Sequence, residues 1–234
     1  MTTTLAAPPS IPSPASSAVT LPPPLPGVLT VADLLDHLGG VPAQRVRFHP
    51  LPGTATEQDV IDAAAHGDRL CELVDASLVE KTMGCDESLL AACLVAALSQ
   101  HVDARNLGWI YGADGMMRVG PGQVRLPDVA YVSRARSPGG RRPKGPIADL
   151  SPDLAVEVLS ASNTAAEIDR KRREYFAGGT RLVWIVDPVA RTIAVFTSPD
   201  APDAVLAERD RLDGGDVLPG FALDLVGLFA RLDD

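Results

Sequence analysis

Two short apolar segments of this sequence each carry one carboxylate, and a lysine follows the second. Asp128 lies in LPDVAYVS, Glu157 in PDLAVEVLS and Lys171 in NTAAEIDRKRREYF. A carboxylate inside an apolar run is costly to bury unless it is paired with a cation or holds a metal. Two carboxylates on adjacent strands repel one another unless a cation neutralises them, and Mg²⁺ suits such oxygen ligands. The three residues therefore predict divalent-metal-dependent hydrolysis of a phosphodiester.

Each of these residues also has a structural interpretation. Glu157 could form a buried ion pair with an arginine or a lysine. Asp128 follows a proline, and Pro-Asp is typical of a turn or of the start of a strand. A helical wheel places Lys171 on one face with Ile168 and Tyr175, where its aliphatic stem could simply cover apolar neighbours. The same wheel points Arg170 and Glu174 away from that face.

Composition restricts the class of protein. The chain has 234 residues, 46% of them hydrophobic, and a net charge of −9, which does not indicate a generally basic nucleic-acid-binding surface. Its three cysteines lack the spacing of a zinc site or a disulfide framework and are expected to be reduced. No apolar run reaches the length of about 20 residues that a membrane span needs, and residues 1–27 do not resemble a signal peptide. We therefore expect a cytoplasmic protein without membrane contact.

The order of predicted elements indicates an α/β fold. Residues 1–27 are rich in Pro, Ser and Ala and are predicted to be a disordered tail. Residues 28–69 form an N-terminal helical extension with helices near 30–38 and 54–66, and residues 70–234 form the main domain. That domain contains a hairpin around Asp75-Ala76, a helix over 86–104 and strands at 109–111, 116–119 and 124–126. The strands of Asp128 and Glu157 follow, and then a helix over 163–177 and strands at 181–186 and 192–196. This order predicts a mixed central sheet flanked by helices.

The combined pattern PD…EVL…K resembles the PD-(D/E)XK nuclease superfamily and, more closely, the bacterial Uma-two group of restriction-endonuclease-like proteins. The segments that carry the resemblance lie within about residues 55–230, and the one over 153–188 is the most specific. The resemblance implies a restriction-endonuclease-like core in which Asp128, Glu157 and the Val158 carbonyl hold Mg²⁺ or Mn²⁺. It also implies that Lys171 is the catalytic lysine, displaced from the strand onto the following helix.

The resemblance further implies two additional acids, which match Glu72 at the start of the hairpin and Glu87 in the first core helix. Glu72 could equally be a salt-bridge partner within the hairpin, and Glu87 could be an acid that complements the helix dipole. Many relatives have Asp-Gly at the hairpin turn, whereas this chain has Asp75-Ala76. Because alanine disfavours positive φ, a different turn is expected here.

The resemblance implies a metal-dependent endonuclease that acts on DNA. Five basic residues could contact a phosphate backbone, although a solvated loop explains them equally well: Arg134, Arg136, Arg141, Arg142 and Lys144. The alternatives are a non-catalytic module that binds nucleic acid or protein, and a hydrolase of another phosphodiester. A homodimer would supply the two active sites that duplex cleavage needs.

Overall fold

The computed structural model describes residues 25–66 and 69–233 of the chain. The proline-rich tail predicted at 1–27 therefore lies outside the described residues, except for 25–27. Five α-helices occur in the described part: α1 Val31–His37, α2 Glu57–Ala65, α3 Cys85–Ala104, α4 Ala165–Ala177 and α5 Leu225–Phe229. Short 3-10 helices lie at Ala43–Arg45, Pro138–Gly140 and Ala230–Leu232. None of the described helices has the length and apolar character that crossing a membrane requires.

The strands form three sheets. Their bounds are β1 Cys71–Val74, β2 Ser77–Glu80, β3 Gly108–Tyr111, β4 Met116–Gly120, β5 Gln123–Arg125, β6 Val129–Ser133, β7 Ile147–Ala148, β8 Leu154–Val158, β9 Leu182–Asp187, β10 Thr192–Phe196, β11 Ala204–Ala207, β12 Arg211–Gly214 and β13 Leu218–Asp224. A six-stranded sheet has the order β11-β10-β9-β8-β6-β3, and a five-stranded sheet has the order β2-β1-β5-β4-β7. Strands β12 and β13 form a separate hairpin.

The six-stranded sheet is mixed and lies between two layers. Strands β8 and β9 run parallel and are joined by a crossover through α4, while the other pairs of this sheet are antiparallel. On one face, Leu94 and Leu98 of α3 pack against Trp184. On the other face, Ile168 and Tyr175 of α4 pack against Ala155 and Val183. The predicted α/β architecture with a mixed, helix-covered sheet is confirmed. Helix α4 covers the face of the sheet that carries Ala155 and Val183.

The N-terminal helices pack on the hairpin β1–β2 rather than forming a core of their own. Leu34 of α1 and Leu38, which directly follows the helix, share an apolar cluster with Val74 and Val79 of the hairpin. Val60 of α2 contributes to a second cluster, which also contains residues of β1 and β2. Residues 28–66 therefore share their buried surface with the hairpin that follows them.

The hairpin turn differs from the expectation drawn from the sequence. Asp75 and Ala76 both have positive φ, at 46° and 53°, between the paired residues Val74 and Ser77. This is the backbone sign pattern of the tight two-residue turns that Asp-Gly sequences favour, so the expectation of a different turn is wrong. The Asp75 carboxylate accepts hydrogen bonds from Gln123 and Arg170 and contacts His37, which holds the strained turn in place.

Several short elements of the structure were not predicted from the sequence. The segment 134–149, predicted as a loop, contains the 3-10 turn at Pro138–Gly140 and the two-residue strand β7. Strands β11 and β12 were not predicted either. Strand β11 is exposed along most of its length, so it lacks the alternation of apolar and polar residues that identifies a half-buried strand.

Candidate active site

Strands β6 and β8 bring the two carboxylates together. The strands pair with Val129 opposite Val156 and Ala130 opposite Ala155. Asp128 directly precedes β6, and its N–H donates a 2.9 Å hydrogen bond to the Val156 carbonyl. Continuing this register places Asp128 opposite Glu157, with both side chains on the sheet face that α4 covers. The carboxylates are buried, with exposures of 4% each.

Helix α4 delivers the lysine to the same face. The helix begins after Thr164, whose hydroxyl accepts a hydrogen bond from the Glu167 N–H, and it ends at Gly178. Its apolar repeat turns Ile168, Lys171 and Tyr175 toward the sheet. Lys171 is 3% exposed, so this side chain does not reach solvent as a surface lysine would.

Lys171 lies between two glutamates. Its ammonium is 3.1 Å from Oε2 of Glu157 and 3.0 Å from Oε1 of Glu72. The second oxygen of Glu157 accepts a 2.6 Å hydrogen bond from the Tyr175 hydroxyl. The structure thus brings together Asp128, Glu157, Lys171 and Glu72 among the predicted site residues.

Glu72 is held by cations from two elements. Besides Lys171, it receives a 2.8 Å hydrogen bond from Arg125 and a 3.2 Å hydrogen bond from the Leu126 N–H. Burial would raise the pKa of Glu72, but the charges of Lys171 and Arg125 outweigh it and lower that pKa to about 2. Glu72 is therefore an ionised carboxylate that also faces the central lysine, so it is not merely a pair within the hairpin.

Glu157 has the opposite electrostatic balance. Burial raises its pKa, and the neighbouring carboxylates Asp128 and Glu72 raise it further against the opposing effect of Lys171. The pKa of Lys171 is raised, because Glu157 and Glu72 outweigh the burial that would lower it. The lysine is accordingly a stable cation, while the glutamate beside it is the acid in this group that is harder to ionise.

A second lysine, Lys81, holds Asp128 in place and was not among the site residues predicted from the sequence. The Oδ1 of Asp128 lies 2.8 Å from the Lys81 ammonium, and its Oδ2 accepts a 2.6 Å hydrogen bond from the Val158 N–H. Lys81 also donates to the carbonyls of Leu126 and Ala113, the latter at 3.1 Å. The sequence placed Lys81 at the end of the hairpin, and no local signal there indicates that its side chain would reach the Asp128 strand.

Arg170 and Glu174 lie on a second face of α4, away from Lys171 as the helical wheel predicts, and this face is also occupied by partners. Glu174 accepts a 2.6 Å hydrogen bond from Arg125, and Arg170 contacts both Glu174 and Asp75. In the structure the five-stranded sheet packs on the flank of α4 and pairs with this second, charged face.

Glu87 lies apart from this cluster. It occupies the first turn of α3, half-buried, with its carboxylate beside Gly84. Among the described residues it forms no ion pair with the lysines or arginines of the cluster. Its role in the site remains a prediction from the resemblance.

The oxygen donors of the cluster match the chemistry of a hard divalent cation. The carboxylates of Asp128 and Glu157 and the carbonyl of Val158 are oxygen groups of the kind that Mg²⁺ or Mn²⁺ binds, and the Val158 N–H donates to Asp128. Within residues 25–66 and 69–233, no three His, Cys, Asp or Glu side chains are grouped closely enough to hold a metal by themselves. Instead, Lys81 and Lys171 contact the carboxylate oxygens, so a bound cation would share or replace contacts that these ammonium groups make.

Comparison with known proteins assigns the chain to a family. The family model Uma2, described as "Putative restriction endonuclease", matches residues 58–226, which include every residue of the cluster described above. The chain belongs to the Uma2 family. Comparison with curated proteins gives no significant match.

The fold of this Uma2 protein also matches a solved structure. The crystal structure of a "putative nuclease belonging to DUF820" from Anabaena variabilis ATCC 29413 superposes with a TM-score of 0.62. The two chains are 17% identical, and the match covers 74% of this chain and 98% of that one. At this identity the likeness establishes that the two chains share a fold.

Proposed function

We propose that this Uma2 protein is a divalent-metal-dependent endonuclease that hydrolyses phosphodiester bonds of DNA. The observation that carries the proposal is the buried pair Asp128 and Glu157 on adjacent strands, with Lys171 3.1 Å from Glu157 on the covering helix. A buried group of ionisable residues with shifted pKa values, located at the ends of neighbouring strands, is typical of a catalytic site. The PD-(D/E)XK pattern read from the sequence is consistent with the same three positions.

Asp128, Glu157 and the Val158 carbonyl are the groups that would hold Mg²⁺ or Mn²⁺. When bound, such an ion stabilises negative charge on the phosphate and lowers the pKa of a water molecule. The neighbouring residues keep these donors in position. Tyr175 fixes one oxygen of Glu157, and the Val158 N–H fixes one oxygen of Asp128.

Lys171 is positioned to act as a cation. The charges of Glu157 and Glu72 raise its pKa against the effect of burial, so the ammonium can donate hydrogen bonds at neutral pH. A protonated lysine beside the reacting phosphate neutralises the charge that develops on the phosphate oxygens. Glu72 holds the ammonium from the other side and thereby orients it.

The ion pairs also favour a second function. Each of the three buried acids Glu72, Asp128 and Glu157 already contacts a lysine ammonium, so the cluster is stabilised by its own cations. Such an arrangement is equally suited to a structural ion-pair network in a non-catalytic binding module. A module of this kind would bind nucleic acid or protein without turnover.

A substrate panel separates these functions. The wild-type chain would be incubated with plasmid DNA, single-stranded DNA, RNA and a small phosphodiester, each with Mg²⁺, with Mn²⁺ or with excess EDTA. We expect cleavage of DNA that depends on the metal and stops with EDTA. Binding of DNA without cleavage under any metal condition would overturn the endonuclease and support the binding module. Turnover of only the small phosphodiester would overturn the assignment of DNA as substrate.

A further inference from the structure

We propose that Arg141, Arg142 and Lys144, together with Tyr111, form a surface that binds the phosphate backbone of a nucleic-acid strand beside the active site. This group is called the basic loop surface below. The proposal rests on the proposed function and deepens it, because it names where a strand lies when its scissile bond reaches Asp128 and Glu157.

The structure divides the basic residues of the 134–144 segment into two sets. Arg134 stacks on the ring of Trp109 and donates to Asn106, and Arg136 lies 3.6 Å from the buried Asp153. These two side chains are used within the protein. Arg141, Arg142 and Lys144 are exposed, and in the described part of the chain they form no ion pair with any carboxylate. Three cations close together without acidic partners are available to an external anion.

Two adjoining cavities lie along these cations. One, of about 250 Å³, is lined by Arg141, Arg142 and Lys144. The other, of about 220 Å³, shares Arg142 with the first and is also lined by Tyr111. Two acids border the cavities, Asp149 and Asp114. Asp149 is paired with Arg118, so the exposed Asp114 alone opposes the three cations.

The surface is connected directly to the active site. Tyr111 pairs with Ala130 across β3 and β6, and Ala130 follows Asp128 by two residues. Strand spacing therefore places the Tyr111 backbone about 8 Å from that of Asp128. Because directly paired residues and residues two apart on a strand share a face, Tyr111 lies on the face that carries Asp128. The turn after Tyr111 is tied to the site as well, since the Ala113 carbonyl accepts a hydrogen bond from Lys81.

The aromatic residues favour nucleic acid over an acidic protein as the partner. Trp109 and Tyr111 lie on one face of β3, which is the edge strand of the six-stranded sheet, and both are partly exposed. The Tyr111 hydroxyl is buried, which raises its pKa, and the nearby Arg142 guanidinium opposes this effect. A cationic groove with aromatic rings beside it is the arrangement used by proteins that bind single strands.

The net negative charge of this chain does not prevent the basic loop surface from binding a nucleic acid. The net charge of −9 is a sum over the whole chain, whereas the affinity for a phosphate backbone depends on the cations that displace counterions from it. For a single strand, each neutralised phosphate contributes a slope of about 0.7 to the dependence of log K on log salt. Three such contacts predict a slope of about 2 from this surface alone.

The test measures binding separately from cleavage. Fluorescence anisotropy with a labelled single-stranded DNA oligonucleotide would be recorded in EDTA across a series of salt concentrations. The variant Arg141→Ala/Arg142→Ala/Lys144→Ala would be compared with Arg209→Ala/Arg211→Ala/Arg231→Ala, which removes the same charge from exposed positions elsewhere. We expect the first variant to lose about 2 from the salt slope and to bind on the order of tenfold more weakly, while the control stays near wild type.

Three outcomes would overturn the inference. Equal losses in both triple variants would show that only net charge matters, and an unchanged salt slope in the first variant would show that strands lie elsewhere. Failure of the wild type to bind any strand would overturn it as well. Binding that depends on the basic loop surface, combined with no cleavage in any metal, would support this inference while overturning the endonuclease, so the two failures are distinguishable.

Discussion

The Lys81 ammonium lies 2.8 Å from Oδ1 of Asp128, at the junction between the N-terminal hairpin and the central sheet. With Glu72 on β1, the hairpin region therefore supplies two charged residues to the cluster around Glu157. The hairpin is consequently part of the site rather than an appendage to it. Removing Lys81 should alter how the acids of the cluster respond to an added cation.

Replacing Lys81 by methionine is expected to strengthen Mn²⁺ binding. The ammonium and a divalent ion compete for the same oxygens of Asp128, and removing the ammonium leaves that carboxylate without its cation. We expect the Mn²⁺ dissociation constant of Lys81→Met to fall on the order of tenfold in isothermal titration calorimetry. The control is Lys144→Met, which removes the same charge at an exposed position. Weaker Mn²⁺ binding in Lys81→Met would show that the lysine supports the metal site instead.

Glu72 should make stability depend on pH in the acid range. Its pKa is about 2 in the folded protein against 4.5 for an ordinary glutamate, so its contribution is present above about pH 4.5 and is lost as the pH falls toward 2. A shift of this size corresponds to about 3 kcal/mol. Urea unfolding of Glu72→Gln should show a deficit of this order at pH 7 that holds down to about pH 5 and shrinks below about pH 4.5.

The matched control for Glu72 is Asp216→Asn, which changes an exposed carboxylate in the turn between β12 and β13. Its free energy of unfolding should remain within about 0.5 kcal/mol of wild type at each pH. A deficit of Glu72→Gln that is the same at pH 7 and pH 3 would contradict the assignment of an ionised, cation-stabilised Glu72.

Tyr175→Phe tests the support of Glu157. The substitution leaves a buried carboxylate oxygen without the 2.6 Å hydrogen bond that it accepts in the wild type, while the ring still fills its place. We expect a loss of about 1–3 kcal/mol in the free energy of unfolding. Because the lost bond stabilises the ionised form, the acid limb of any pH–activity profile should also move upward. A loss of stability with an unchanged acid limb would assign Tyr175 a packing role only.

Ala76→Gly should stabilise the protein. Alanine at a φ of 53° is strained by its Cβ, whereas glycine adopts this conformation at little cost. We expect a gain of about 1 kcal/mol, measured by chemical denaturation. Ala96→Gly, at an exposed position in the middle of helix α3, should instead lose about 1 kcal/mol, because glycine is unfavourable in a helix interior. Loss of stability in Ala76→Gly would mean that the methyl group makes packing contacts worth more than the strain.

Much of the fold followed from patterns that are local in the sequence. Helix α3 is identified by its apolar periodicity, helices α2 and α4 by capping residues as well, and β8 and β9 by nearly continuous apolar runs. The placement of Lys171 beside Glu157 was also accessible, because a strand and the helix that follows it pack against each other. Elements that lack a buried face, such as β11, carry no comparable signal.

Contacts between distant segments were not accessible in this way. Lys81 and Asp128 are 47 residues apart in the numbering, and their contact exists only because the five-stranded sheet folds against the six-stranded one. The same packing pairs Glu174 with Arg125, a partner that a helical wheel of α4 alone cannot identify. The expectation for the Asp75-Ala76 turn was wrong for a related reason. Contacts of Asp75 with Arg170 and Gln123 outweigh the preference of alanine for negative φ.

The most direct test of the account is the cleavage of plasmid DNA in Mg²⁺ and in Mn²⁺ by wild type, Glu157→Gln and the surface control Glu208→Gln. All three proteins would first be shown to be folded by circular dichroism and thermal unfolding. If Glu157 is part of the catalytic centre, Glu157→Gln should lose on the order of 100-fold or more in rate, while Glu208→Gln cleaves like wild type. Equal metal-dependent cleavage by folded Glu157→Gln and wild type would contradict the placement of the active site at Asp128 and Glu157, on the neighbouring strands β6 and β8.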